Sequence, residues 1–211
     1  MITSFFKALS YIFHPLFLPI LGLYILFQLP VYSFGLVVIP QIKSFLYLMF
    51  VLLTVIAPGI SIIILYWNKV ITSLNMPHRT ERFMPLFLLL IYYIVQYSFI
   101  RFKFPILFKV SFLMPYMLGM ILIIIVALLF NNYIKISLHV IGFFGVVGAV
   151  TAYMQSEIFY NFYFLVGLIV LGGIIASARL YLKVHQLKDV IYAMIFGFGI
   201  EYFCVKFEWF I

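Results

Sequence analysis

Residues 116–130 read YMLGMILIIIVALLF, a run with no charged or amide side chain. The apolar residues do not alternate with polar ones, so this is not the pattern of a half-buried strand. A run of this kind, extended upstream to about residue 106, is long enough to cross a hydrocarbon layer as a helix. In lipid every backbone N–H and C=O must bond internally, which leaves helices or closed barrels. Unbroken apolarity selects helices. The whole chain repeats the lesson. Of 211 residues, 67% are hydrophobic and 9% charged, against about half and about one quarter in soluble domains. So few charges could not cover a water-exposed surface. A soluble globular domain, a disordered chain and a disulfide-stapled module are excluded.

Outward from that run, further apolar stretches give spans at about 10–29, 44–67, 83–100, 106–130, 136–154, 160–178 and 188–207. The expected fold is all-α: a polytopic transmembrane helical bundle of six or seven spans, residues 1–211 forming one membrane domain. Pro58-Gly59 predicts a kink inside the second span. The first span carries His14, Pro15 and Pro19 and is the weakest; no small-residue cleavage site follows it, so it reads as retained. Gly142, Gly145 and Gly148 in the fifth span, and Gly167, Gly172 and Gly173 in the sixth, predict close helix packing. The lone Cys204 can form no internal disulfide.

Lys and Arg number 13 against 5 Asp and Glu, a net charge of +8. These cations are scattered through short loops without a basic stripe, which argues against a nucleic-acid partner. They suit lipid headgroups or an anionic substrate in the bilayer. In so apolar a chain each ionisable residue is a functional candidate. Three loops hold the interesting ones. The first is Asn75-Met76-Pro77-His78-Arg79-Thr80-Glu81-Arg82, the second Lys135-Ile136-Ser137-Leu138-His139, and the third runs from Ser177-Ala178-Arg179 through His185 to Asp189, the only aspartate. Two spans separate each loop from the next, so all three are expected on one membrane face.

Their chemistry fits phosphate. Asp189 stands four residues after His185, a spacing that shares a helix face. A carboxylate there would orient the imidazole and leave its other nitrogen as nucleophile. Arg79, Arg82, Lys135 and Arg179 offer a cationic cradle, and guanidinium forks match phosphate oxygens. Ser137 and the amides opening the fifth helix add donors. His139 is a second imidazole, able to protonate a leaving oxygen. No metal-ligand cluster is visible, so no metal and no cofactor are expected.

At these residues the chain resembles the type 2 phosphatidic acid phosphatase superfamily of integral membrane phosphatases. Arg179, His185 and Asp189 match the family pattern Ser-Arg-x5-His-x3-Asp, with Ala178 in the serine position and Ser177 one place earlier. Ser137 and His139 match part of Pro-Ser-Gly-His; the proline and glycine are missing. Arg79-x2-Arg82-x2-Pro85 stands where Lys-x6-Arg-Pro would fall, with different spacing. The resemblance is firm over the site-bearing core 131–211, draws in loop 68–85, and is loose over the first half, 1–130. It implies a phosphatidic acid phosphatase type 2-like core and hydrolysis of a lipid phosphate or pyrophosphate. It also implies His185 as the phosphohistidine nucleophile, Asp189 as its orienting group and His139 as general acid. Arg179 and Ser137 would then bind phosphate, with Arg79 and Arg82 replacing the first-motif cations; Lys135 is added on proximity alone.

Two other readings use the same cradle: a lipid phosphotransferase, and a non-catalytic carrier or scaffold that binds an anionic lipid and needs no His185 nucleophile. His14 and His78 read as interfacial, Glu81 as the partner of a neighbouring arginine. Glu201 falls deep in the last span, where a structural hydrogen bond is expected. Without the four proposed phosphate ligands, four cations remain on the site side and five opposite. That balance, with the resemblance to bacterial members, implies a bacterial inner membrane and a site facing the periplasmic or outer side.

Overall fold

A computed structural model describes residues 2–29, 40–74, 76, 79–105, 107, 110–156 and 160–209. His78 lies outside the described residues. Among those described, the regular elements are all helical. They are α1 (Ile2–Ile12), α2 (Leu18–Gln28), α3 (Pro40–Phe50), a π-helical stretch (Val51–Ile56) and α4 (Ala57–Trp67). A 3-10 turn (Thr80–Arg82) leads into α5 (Phe83–Lys103), followed by α6 (Leu113–Phe130), α7 (Leu138–Ser156), α8 (Phe162–Tyr181) and α9 (Leu187–Lys206). Among the described residues, five continuous segments are long and apolar enough to cross a membrane: Pro40–Trp67, Thr80–Lys103, Leu113–Phe130, Leu138–Ser156 and Phe162–Tyr181.

The first expected span is not one helix. It divides at His14–Phe17 into α1 and α2. Pro15 disfavours helical geometry at His14, and Pro19 fits only the first turn of a new helix. At about 1.5 Å per residue α2 rises only about 16 Å, short of a hydrocarbon core. The fourth span begins at Leu113 rather than near 106, with Pro115 in its opening turn, where its missing N–H costs nothing. Where a kink is expected at Pro58, the structure has a π-helical stretch just ahead of it. Pro58 supplies no N–H to the ladder. The preceding turn widens, Ala57 N–H reaching the Leu52 carbonyl, and the Thr54 hydroxyl donates to the Phe50 carbonyl at 2.8 Å.

Helix α7 forms the centre. Val140, Phe143, Val147, Ala149, Val150 and Ala152 are each fully buried. Against it α9 packs backbone to backbone. A methyl on Gly148 would strike the Phe198 carbonyl, and one on Gly197 the Ile141 carbonyl. Gly172 faces Phe143 and Phe144, while Gly142 faces Leu18. Gly167 and Gly173 contradict the packing expectation: nothing lies within 4 Å of where their side chains would start. By contrast Ile60, Ile63 and Ile64 of α4 lie exposed, an outward apolar face suited to lipid.

Candidate functional site

The three polar loops meet at one end of the bundle. The His185 Nδ1 donates to the Lys135 carbonyl at 2.9 Å, joining the α8–α9 turn to the α6–α7 loop. Arg79 Nη1 donates to the Asn132 and Tyr133 carbonyls at 3.2 and 3.1 Å, and Asn131 Nδ2 returns a bond to the Arg79 carbonyl at 2.9 Å. That joins the α4–α5 loop to the same place. The charges of Arg82 and Arg179 both reach His185, and Arg179 also reaches His139.

A carbonyl can only accept, so the proton of His185 sits on Nδ1 and the Nε2 lone pair is free. Sequence spacing assigned this orienting task to Asp189. The structure gives the short bond to the Lys135 carbonyl and leaves Asp189 Oδ2 3.8 Å from Nδ1. The reason is local. His185 precedes α9 instead of sharing its face, and Asp189 closes a capping box in which its Oδ2 accepts from the Gln186 N–H at 2.9 Å. Asp189 therefore serves the helix terminus and bears on His185 through its charge. The imidazole side chain is only 3% exposed. Burial, then the positive Arg82 and Arg179, push His185 down to about 4, against the Lys135 carbonyl and Asp189. It is neutral at physiological pH.

Arg82 stands among Arg79, Arg179, Lys135 and Asp189, with Nε donating to the Met76 carbonyl at 3.3 Å. Lys135, proposed for its ammonium, contributes its backbone carbonyl to His185. Burial and then Arg82 lower its side chain's pKa. Arg79 is exposed and occupied by loop carbonyls, which makes it a staple between loops. Ser137 is fully buried, and its Oγ, Arg179 Nε and Asp189 Oδ1 have no hydrogen-bond partner. The Ser137 hydroxyl and Arg179 Nε–H are donors and fit an oxyanion ligand, whereas Asp189 Oδ1 can only accept and does not. Glu81 does not pair with an arginine; its Oε1 accepts from the Thr72 hydroxyl at 2.7 Å.

Two participants come from the amino-terminal segment. Ser10, in the last turn of α1, accepts from Arg179 Nη1 on its hydroxyl at 3.0 Å, and its carbonyl lies 3.1 Å from His139 Nε2. That contact places the His139 proton on Nε2. The His14 ring meets His139 edge-on, centroids 5.7 Å apart, and burial followed by Arg179 lowers its pKa. His14 was read as interfacial, yet the break at Pro15 turns it inward. Its rarity in an apolar chain was a signal; nothing singled out Ser10. Among the described residues no three His, Cys, Asp or Glu side chains gather as metal ligands. Compared with known proteins, the chain matches no family model, no curated protein and no solved structure.

Proposed function

We propose that the chain is an integral membrane phosphatase that removes a phosphoryl group from a lipid phosphate or pyrophosphate at this polar end. The observation carrying the reading is the buried, neutral His185, its proton held on Nδ1 by the Lys135 carbonyl, with Arg82 and Arg179 beside it. The Nε2 lone pair attacks phosphorus, the bond from phosphorus to the lipid oxygen breaks, and a phosphohistidine forms. Arg179, Arg82 and the Ser137 hydroxyl bear the developing charge on the phosphoryl oxygens. The departing alkoxide takes the Nδ1 proton of His139 in its imidazolium form, which the negative charge of the bound phosphate favours and whose Nε2–H stays on the Ser10 carbonyl. Water then attacks phosphorus and returns a proton to His139, the nitrogen–phosphorus bond breaks and phosphate leaves. In this reading the bundle has six or seven crossings, with the phosphatidic acid phosphatase type 2-like core formed by residues 131–211 with loop 68–85, and the site on the periplasmic or outer side of a bacterial inner membrane.

The test is phosphate release from polyprenyl, glycerolipid and lipid-A-type phosphates. His185→Ala should abolish release while the protein stays folded; undiminished release overturns the assignment. Vanadate binding separates turnover from mere headgroup binding. Tight binding lost in His185→Ala supports the enzyme, and binding indifferent to that change supports an anionic-lipid carrier.

A further inference from the structure

Beneath the two histidines a cavity runs into the membrane-spanning part of the bundle between α2, α5, α6, α7 and α9. It starts at Pro15 and Leu138, the neighbours of His14 and His139, and its volume is about 50 Å³. That admits only a slender guest, such as a single alkyl chain, and no bulky ring system. Leu18, Met120 and Gly142 make its wall apolar; Tyr93, Tyr116 and Glu201 are its polar members. The Tyr116 hydroxyl is already spent on the Pro19 carbonyl at 2.9 Å. Glu201 is 1% exposed and its Oε2 has no hydrogen-bond partner, contrary to the structural bond expected of it. The fold makes room for this carboxyl group: a methyl on Gly119 would collide with it.

An intramembrane acid without a partner is costly and marks a ligand or ion path. The guest must be mostly apolar to match the wall, and must carry a group that bonds a carboxyl. A hydroxyl both donates and accepts, so it serves a carboxyl in either protonation state. A charged amine would have to shed its hydration against apolar walls. We propose that this cavity binds the hydroxylated apolar chain of a lipid, with Glu201 bonding the hydroxyl and Leu18 and Met120 packing against the methylenes. Glu201 lies twelve residues beyond Asp189, about 18 Å along a helix at 1.5 Å per residue. The hydroxyl is therefore remote from any phosphate held above. The chain belongs either to the phosphorylated substrate, which rests on the phosphatase reading, or to a separate lipid alcohol, which does not.

Binding of radiolabelled probes to the full chain in lipid nanodiscs tests this without relying on turnover. Octadecyl phosphate with and without a mid-chain hydroxyl are compared, with the phosphate-free hydroxylated octadecanol as competitor. Glu201→Leu should weaken binding of the hydroxylated phosphate about tenfold and leave the unsubstituted one within twofold. Met120→Trp, which fills the cavity, should weaken both. Glu201→Gln keeps one acceptor and one donor and should retain most of the discrimination, whether or not Glu201→Leu folds. Equal effects of the Glu201 variants on both probes, or binding indifferent to Met120→Trp, overturns the proposal. Competition by the phosphate-free alcohol supports a separate lipid alcohol as guest. Lack of competition alongside discrimination between the phosphates supports the substrate's own chain. Failure of the phosphatase reading would leave the probe discrimination intact.

Discussion

In the proposed reaction the His185 imidazole carries most of the chemistry, and its pH behaviour follows from where it sits. Its pKa in the folded chain is about 4, against about 6.5 unfolded. Between those values the unfolded chain binds a proton that the folded chain refuses. Stability thus rises with pH across this window, and as pH falls through it the contribution is lost. The rate should show the same limit: the acid limb due to this group falls near pH 4, and a limb near 6.5 in the pH–rate profile would contradict the burial described. Asp189 raises the His185 pKa, so Asp189→Asn should shift that limb to still lower pH and slow turnover strongly without abolishing it. The same change weakens the capping box, which a thermal melt would register as about 1 kcal/mol. Ser10→Ala removes the hydroxyl that holds Arg179 and keeps the carbonyl facing His139. A hydrogen bond to a charged group is worth about 2 kcal/mol, so kcat/KM should fall about tenfold or more, with kcat sharing the loss because Arg179 bears charge that develops in the transition state. An unchanged kcat/KM would mean that Ser10 does not position the guanidinium.

At the scale of elements, the α7–α9 seam makes a sharp distinction among glycines. Gly148→Leu and Gly197→Leu drive side chains into backbone carbonyls. Overpacking costs about 1–3 kcal/mol where neighbours can move, and backbone moves less. Both variants should lower the unfolding temperature markedly, while Gly167→Leu and Gly173→Leu, which point into open space, should melt like the parent chain. Equal melts for all four would dissolve the seam as an explanation. The sequence showed that these glycines existed and that small residues allow close approach. It could not show which had a neighbour, because helix rotation is decided by the partner's surface. The long apolar helices were legible for the opposite reason: length and apolarity are local properties. The break at His14 was half legible, since Pro15 and Pro19 were visible but the inward turn depends on α7.

Across the whole molecule, gathering the loops at one end is what makes one site possible. Counting spans predicted it, and the bonds from His185 to Lys135 and from Arg79 to Asn132 and Tyr133 give its atomic form. The roles within that end were less legible. Backbone carbonyls do much of the holding, and a sequence displays side chains only. Asn132, Lys183 and Tyr160 are exposed, and Cys204 is buried and should stay silent. Asn132→Cys and Lys183→Cys should react with an impermeant thiol reagent from one face of sealed vesicles, Tyr160→Cys from the other. Labelling of the first two from opposite faces would separate the polar loops.

The glycine seam has a practical corollary. Both imidazole-bearing ends are tied to helices whose backbones touch, so their separation does not depend on the lipid-facing rim. Extraction into detergent strips that rim first. Activity lost on extraction should then return when lipid is restored, up to the temperature at which the two central helices part.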